Sequence, residues 1–374
     1  MTGAPPPERR RLVSLDVFRG ATIAAMILVN NPGDWGHVYR QLDHAEWNGW
    51  TTTDLIFPFF LFITGVSMSL SRSGASDRPK SRTHLKALKR SAILFALGLF
   101  LNGFPFFQLE NLRIMGVLQR IAVCYLAASV VTIECGWGAQ AAWAVGLLFV
   151  YWAAMTWYPV PGVGPGVWEK GRNFSAYVDG LVLQGHMWAQ TKTWDPEGTV
   201  STLPAVSTTL FGALTGRWLV ESRSSEGRKA AALALAGCAG MAIGAVWSLV
   251  LPINKNLWTS SYSVFMAGFA LVILGGCYYL IEARNLRGWT LPFDVFGKNS
   301  ILVFVLSGVL GRTIIYWKIS SLGRAKAVKT ILYNEIFASR LSPYRASVAY
   351  AVCFLLLLYL PMWALYKKKI FVKI

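Results

Sequence analysis

Charge is scarce in this chain. Asp, Glu, Lys and Arg make up 14% of the 374 residues, where a soluble domain typically carries about 25%. That shortage excludes an ordinary water-soluble fold. Acid is scarcer than base, 18 residues against 36, which leaves a formal net charge of +18. Histidine occurs four times and cysteine five times. Cys124, Cys135, Cys238, Cys277 and Cys353 lie in or beside apolar stretches, none in a CxxC pair and none beside a histidine. Neither a disulfide framework nor a metal site is therefore expected. The Pro-rich, basic stretch from Met1 to Arg11 is not followed by a small-residue cleavage site, so no cleavable signal peptide is expected.

What the chain has in abundance is apolar length. Hydrophobic residues reach 54%, and sixteen Trp suit interfacial belts. Runs of roughly 18 or more apolar residues can each cross a hydrocarbon core of ~30 Å. They recur at 13–31, 54–71, 87–104, 114–133, 139–158, 200–220, 230–251, 260–281, 294–311 and 346–366. The fold class is therefore all-α, a polytopic transmembrane helical bundle of about ten spans.

Lys and Arg gather in alternate loops, so the basic excess reads as topology and no nucleic-acid partner is expected. Arg9 to Arg11, the stretch from Arg72 through Arg78 to Arg90, Arg223 to Lys229, Arg284 to Lys298, and Lys367 to Lys369 with Lys373 all fall on one side. Both termini are then cytoplasmic. Residues 1–374 read as one membrane domain with a basic N-terminus (1–12) and a long outer loop (159–199). The segment 312–345 is also basic although it falls outside. An amphipathic surface helix or a miscounted span would explain it.

Several polar residues sit where a mere anchor would not need them. His44 lies on the outer side within Asp43-His44-Ala45-Glu46-Trp47-Asn48-Gly49-Trp50, and imidazole is the side chain best suited to moving a proton near neutral pH. A plain loop histidine, a partner of Asp43 or Glu46, and a catalytic base or nucleophile are the readings open to it. Asn30 and Asn31 end the first span, as a helix cap or as amides positioning an acyl carbonyl or the histidine. Asp16 and Arg19 are spaced i, i+3 in the first span, as an intrahelical pair or with Arg19 meeting an anionic ligand from the cytoplasm. Arg120 falls within the fourth span, two turns from Arg113, and needs an anion, carbonyls, or a carboxylate such as Asp16, Asp54 or Asp294. Lys298-Asn299-Ser300 precedes the ninth span as an N-cap or a phosphate site. Asp195-Pro196-Glu197-Gly198 is a turn, or two carboxylates where a cationic amino sugar binds. His37 and His186 are expected outside, and His84 in a solvated cytoplasmic loop.

In Ser14-Leu15-Asp16-Val17-Phe18-Arg19-Gly20, His44-Ala45-Glu46-Trp47-Asn48-Gly49, Asp54-Leu55-Ile56-Phe57-Pro58 and Gly116-Val117-Leu118-Gln119-Arg120 the chain resembles the heparan-α-glucosaminide N-acetyltransferase family. That family belongs to the wider transmembrane acyltransferase superfamily. The resemblance continues through Asp195-Pro196-Glu197-Gly198, Pro252-Ile253-Asn254-Lys255-Asn256-Leu257-Trp258, Asn299-Ser300-Ile301-Leu302 and Lys367-Lys368-Lys369-Ile370-Phe371. It implies transfer of acetyl from cytoplasmic acetyl-CoA to the amine of a terminal glucosamine across the membrane. It implies that His44 is the active histidine, that Asn30 is its near neighbour, and that acetyl-CoA enters the bundle from the cytoplasmic side. The lysosomal member has an extra luminal domain and N-terminal span, so this chain reads as a compact bacterial-type member of the cytoplasmic membrane. Phe304-Val305-Leu306-Ser307-Gly308 stands where that enzyme has a histidine and a glutamate, whose roles do not carry over.

On this reading His44 either deprotonates the sugar amine or carries the acetyl group itself, with Asp43 or Glu46 orienting it. Asn30 or Asn48 would face the oxyanion. Glu46, Trp47, Asp195 and Glu197 are candidates for the acceptor. Arg19, Arg113, Arg120, Lys298 and Asn299 are candidates for the donor. The expected partners are the lipid bilayer and a small-molecule or glycan amine. The resemblance allows a homodimer, although no span shows a clear GxxxG interface. An amino-sugar or oligosaccharide transporter, which paired broken helices or inverted repeats would favour, and an O-acyltransferase of an envelope glycan are the rival readings.

Overall fold

A backbone in hydrocarbon must satisfy its own N–H and C=O groups, so long apolar runs close into helices. The computed structural model describes residues 12–73, 79–321 and 324–372. Arg9 to Arg11, Arg78 and Lys373, which the topology reading used, lie outside the described residues. The helices are α1 (Val13–Asn30), α2 (Ile56–Ser73), α3 (Lys80–Gly103), α4 (Val117–Glu134), α5 (Trp137–Trp157), α6 (Phe174–Val182) and α7 (Thr202–Glu221). They continue with α8 (Glu226–Trp247), α9 (Ser260–Tyr278), α10 (Leu291–Lys298), α11 (Ser300–Tyr316), α12 (Val328–Leu332) and α13 (Pro343–Lys367). Among the described residues the only strands are β1 (Lys318–Ser321) and β2 (Arg324–Ala327), paired antiparallel. The protein is an all-α polytopic bundle.

Each expected span has a helix at its position. Seven helices are long and apolar enough to cross a membrane, or up to eight if α10 and α11 count as one bent span. α3 carries Lys80, Arg82, Lys86, Lys89 and Arg90 in its first half. α7 is polar for another reason. Ser207, Thr208 and Thr209 are fully buried, and Thr208 and Thr209 donate back to the carbonyls of Pro204 and Ala205 at 3.2 and 3.3 Å.

The ninth expected span breaks. α10 and α11 meet at 82°, with Asn299 at the joint. Asn299 holds the N-cap position of α11 without a side-chain cap. Instead its amide donates to Ile370 O at 3.1 Å and its Oδ1 accepts from Val372 N at 2.9 Å. This corrects the simple capping reading: the break is tied to the C-terminal segment.

The absence of GxxxG is also corrected. Gly212 and Gly216 in α7 form one such spacing, and Gly240 and Gly244 in α8 another. A Cβ on Gly212 would strike Phe62 O of α2, and one on Gly216 would lie 2.6 Å from Val66 O. A Cβ on Gly244 would lie 2.6 Å from Phe265 N of α9. Both motifs bring helices of the same chain into backbone contact, so neither is spare for a second copy.

Segment 312–345 is neither a span nor one amphipathic helix. It completes α11, then forms the β1–β2 hairpin, α12 and a π-turn at Tyr333–Ala338. The loops fall into two groups at opposite ends of the bundle. At one end, Asp34 O accepts from Ser347 Oγ at 3.0 Å, Gly49 pairs with Asn254, and Arg113 meets Asp195. At the other, Lys80 and His84 meet Glu134 at 2.8 and 2.7 Å, and Ser14 Oγ donates to Glu282 at 3.1 Å. His84 is thus paired rather than simply solvated.

Candidate active site

The loop from α1 to α2 ends in Thr51-Thr52-Thr53-Asp54, a polar-x-x-acid signature ahead of an apolar run. Thr51 and Asp54 form a capping box on the 3₁₀ turn Thr52–Leu55 that leads into α2. The box fixes Asp54, whose side chain is 1% exposed. Its Oδ2 accepts from Thr51 N at 3.0 Å and Ala45 N at 3.1 Å. Its Oδ1 is left for His44, whose Nδ1 lies 2.6 Å away. A buried carboxylate so placed accepts, so Nδ1 carries the proton and Nε2 keeps its lone pair. The imidazole is 45% exposed. Asp54 therefore orients the ring. Asp43 does not: its Oδ1 accepts from the His44 backbone N at 2.8 Å. Glu46 is exposed.

The turn before α9 completes the site. Asn254 Nδ2 donates to Asn48 Oδ1 at 3.1 Å, and Gly49 N donates to Ile253 O at 2.7 Å. Asn254 Oδ1 in turn accepts from Leu257 N at 2.9 Å. The turn so fixed carries half-buried Lys255 to the imidazole, with Nζ 3.2 Å from Nε2. Burial lowers the Lys255 pKa. Glu197 and Asp54 partly offset that, while Arg120 and Arg113 add to it.

Beside this lies a buried charged cluster. Arg113 donates to Asp195 through Nε at 2.9 Å and Nη2 at 2.6 Å, and also bonds Glu197. Burial pushes the Glu197 carboxyl up, but Arg113, Arg120 and Lys255 outweigh it and hold it below the usual carboxylate range. Asp179 of α6 anchors the turn, accepting from Asp195 N at 3.2 Å and Thr199 N at 2.8 Å. Burial raises its pKa. Asp195 and Glu197 thus hold Arg113. Arg120, fully buried, pairs with none of Asp16, Asp54 or Asp294. It donates to Gly198 O at 3.0 Å and to Ser201 Oγ, and stacks 5.2 Å over the Trp258 ring. Its Nε and Nη1 find no partner among the described residues.

Other sequence candidates lie elsewhere. Asn30 is exposed at the end of α1, and among the described residues no hydrogen bond ties it to His44. Asn31 caps α1 at φ −130°, outside the left-handed region, and donates to Ile27 O at 2.8 Å. Trp47 donates to Trp168 O at 3.0 Å and packs edge-on to Trp194. Arg19, Lys298 and Asn299 sit towards the opposite end. Arg19 bonds Asp16 at 2.9 Å and Ser67 Oγ at 2.6 Å. Lys298 bonds Asp294 and donates to Tyr366 OH at 3.3 Å. His37 meets Asp34 at 2.7 Å, and His186 donates to Leu112 O at 2.9 Å.

Sequence reasoning missed Asp54, Lys255 and Asp179 as site residues. The capping box marked the first. Lys255 is the one charged residue between Lys229 and Glu282, an isolation that was itself a signal. Nothing local marked Asp179.

Fold and site together define a polytopic membrane protein with a histidine–aspartate pair at one end of its bundle. Residues 11–250 match the family described as heparan-alpha-glucosaminide N-acetyltransferase, catalytic. The chain is similar to the heparan-alpha-glucosaminide N-acetyltransferase of Mus musculus, 30% identical over 430 aligned residues that cover 98% of this chain and 62% of the mouse protein. It is also similar to that of Homo sapiens, 30% identical over 316 residues, 70% of this chain and 47% of the human protein. It spans less than two thirds of either relative's length. The chain belongs to the heparan-alpha-glucosaminide N-acetyltransferase catalytic family.

Proposed function

We propose that this protein transfers acetyl from cytoplasmic acetyl-CoA to the amine of a terminal glucosamine-type sugar on the outer face of a cytoplasmic membrane. The observation that carries this is the His44–Asp54 pair, 2.6 Å apart, with the imidazole 45% exposed at the loop-rich end. An ammonium cannot attack a thioester until it loses a proton. Nε2 takes that proton, and Asp54 holds the tautomer that leaves the lone pair free and stabilises the imidazolium that forms. The neutral amine then attacks the thioester carbonyl, the C–S bond breaks, and the thiolate leaves with the electron pair and takes a second proton from the nitrogen, so that ammonium and thioester become amide, thiol and the one proton held on His44. Direct transfer needs no acetyl-imidazole, because the half-exposed imidazole can be reached by the amine itself.

The oxyanion needs donors, each typically worth about 3 kcal/mol. Candidates are the buried Nε and Nη1 of Arg120, which find no partner among the described residues, and the side-chain amide of Asn48. Arg19, Lys298 and Asn299, at the opposite end, are where the phosphates of the donor would be met. Asp195 and Glu197 act by fixing Arg113, and acceptor recognition then falls to exposed Glu46, Asp43 and Trp47. The distribution of basic residues supports a cytoplasmic position for both termini.

The test uses protein in nanodiscs with radiolabelled acetyl-CoA and free glucosamine, wild type beside His44→Ala. Labelled N-acetylglucosamine from wild type alone is the expected result. Equal product from a correctly inserted His44→Ala protein would reject the assignment.

A further inference from the structure

Lys255 stands in an unusual place. Its Nζ lies against the His44 imidazole, 3.2 Å from Nε2 and 3.3 Å from Nδ1, within the reach that proton transfer from an amine to the ring needs. It is thus a primary amine held in contact with the ring that would deprotonate a sugar amine. The turn holding it is fixed by Asn254 through Asn48 and Leu257, so the approach is built into the fold.

We propose that Lys255 fills the acceptor-amine position in the resting protein and is itself acetylated by the His44–Asp54 pair when acyl donor is present without acceptor. This rests on the acetyltransferase reading above and adds to it an internal acceptor. The step balances as the sugar reaction does. His44 Nε2 takes one proton from the ammonium. The Nζ lone pair forms the N–C bond to the thioester carbonyl and the C–S bond breaks. The thiolate leaves with the electron pair and takes one of the two protons left on Nζ, the other staying on the amide. Ammonium and thioester become amide, thiol and one free proton, with no oxidant or reductant.

The surroundings favour this lysine. The charged groups facing it are Glu197, Asp54, Arg120 and Arg113. Its burial, with two guanidinium groups nearby, makes loss of the first proton easier than for a solvated lysine. Among the described residues no other lysine lies at hydrogen-bond distance from a histidine ring nitrogen. Acetylation would remove the charge and leave a bulky amide against Nε2, blocking the acceptor. Acceptor and Lys255 therefore compete for one atom.

The experiment incubates the full chain in nanodiscs with ¹³C-acetyl-CoA and no sugar, followed by peptide mass mapping. Wild type, His44→Ala and Lys255→Arg are compared, with glucosamine transfer measured in parallel. Label at Lys255 in wild type, at least 10-fold above His44→Ala and suppressed by glucosamine, is the expected result. Preincubation with donor alone should then cost wild type most of its transfer rate, while Lys255→Arg keeps its own starting rate. Sugar transfer without label at Lys255 overturns this proposal and leaves the acetyltransferase reading standing. Neither label nor transfer overturns both. Equal label in wild type and His44→Ala is ordinary chemical acetylation and overturns the proposal.

Discussion

His44 and Asp54 are ten positions apart, and neither is informative alone. Their value comes from the capping box, which spends one carboxylate oxygen on backbone donors and leaves the other for the imidazole. Asp54→Asn should keep the shape but lose that preference, because an amide can offer N–H where the ring offers N–H. Transfer should fall by roughly 10²- to 10⁴-fold in kcat with little change in KM, read in the radiolabel assay. An unchanged kcat would remove Asp54 from the chemistry. Glu197 works through stability instead. Its folded pKa lies below its unfolded value because Arg113, Arg120 and Lys255 outweigh the effect of burial. Its contribution is therefore complete above the ordinary glutamate range and is lost as pH falls through the depressed folded value. Thermal unfolding of wild type in detergent should soften on acidification below about pH 4. Glu197→Gln should be less stable at neutral pH by roughly 1–3 kcal/mol and show a shallower acid dependence. The sequence displayed His44 and the Asp195–Glu197 turn openly. It hid the partners, since Lys255 is 211 positions from His44 and Arg113 is 82 from Asp195, and no local pattern records such a distance.

At the scale of the helices, the sequence was legible wherever an apolar run ends in a polar or basic loop. All ten expected spans have a helix at their position, although only seven, or eight with the bent pair, are long and apolar enough to cross a membrane. The break at Asn299 was legible only in part: Lys298-Asn299-Ser300 interrupts the apolar run, but the tie to the tail at Ile370 and Val372 left no local mark. Glycine spacing was legible in principle but ambiguous, since a GxxxG stripe serves an internal contact as well as a dimer. The ambiguity can be resolved by mutation. Gly212→Ala puts a methyl against Phe62 O and should cost roughly 1–3 kcal/mol through overpacking. Gly146→Ala, in α5 with nothing within 4 Å, should be neutral or stabilising by up to about 1 kcal/mol. Thermal unfolding of the two variants should move in opposite directions. If Gly212→Ala instead leaves stability intact and changes oligomeric mass, the stripe faces a second copy.

The whole molecule sets a transport problem that the chemistry must solve. α1 has 18 residues, about 27 Å at 1.5 Å per residue, and its two ends carry different candidates. Arg19 lies eleven residues before Asn30, so its charge is about 16 Å along the helix from the His44 end. A donor whose phosphates meet Arg19 and Lys298 must therefore extend its thioester through the interior to reach His44. An acceptor sugar needs no such passage, because the imidazole is accessible from its own side. The two substrates should then enter from opposite faces. In proteoliposomes sorted by orientation, acetyl-CoA on the Asn299 side and glucosamine on the His44 side should yield product on the His44 side only. Exchanging the two compartments should abolish it. On the proposed roles, Arg19 for the donor's charge and His44 for the reacting amine, Arg19→Gln should raise the KM for acetyl-CoA several-fold while His44→Ala removes kcat. Product formed only when both substrates share the His44 side would place donor entry at the outer mouth and leave Arg19 and Lys298 as structural pairs.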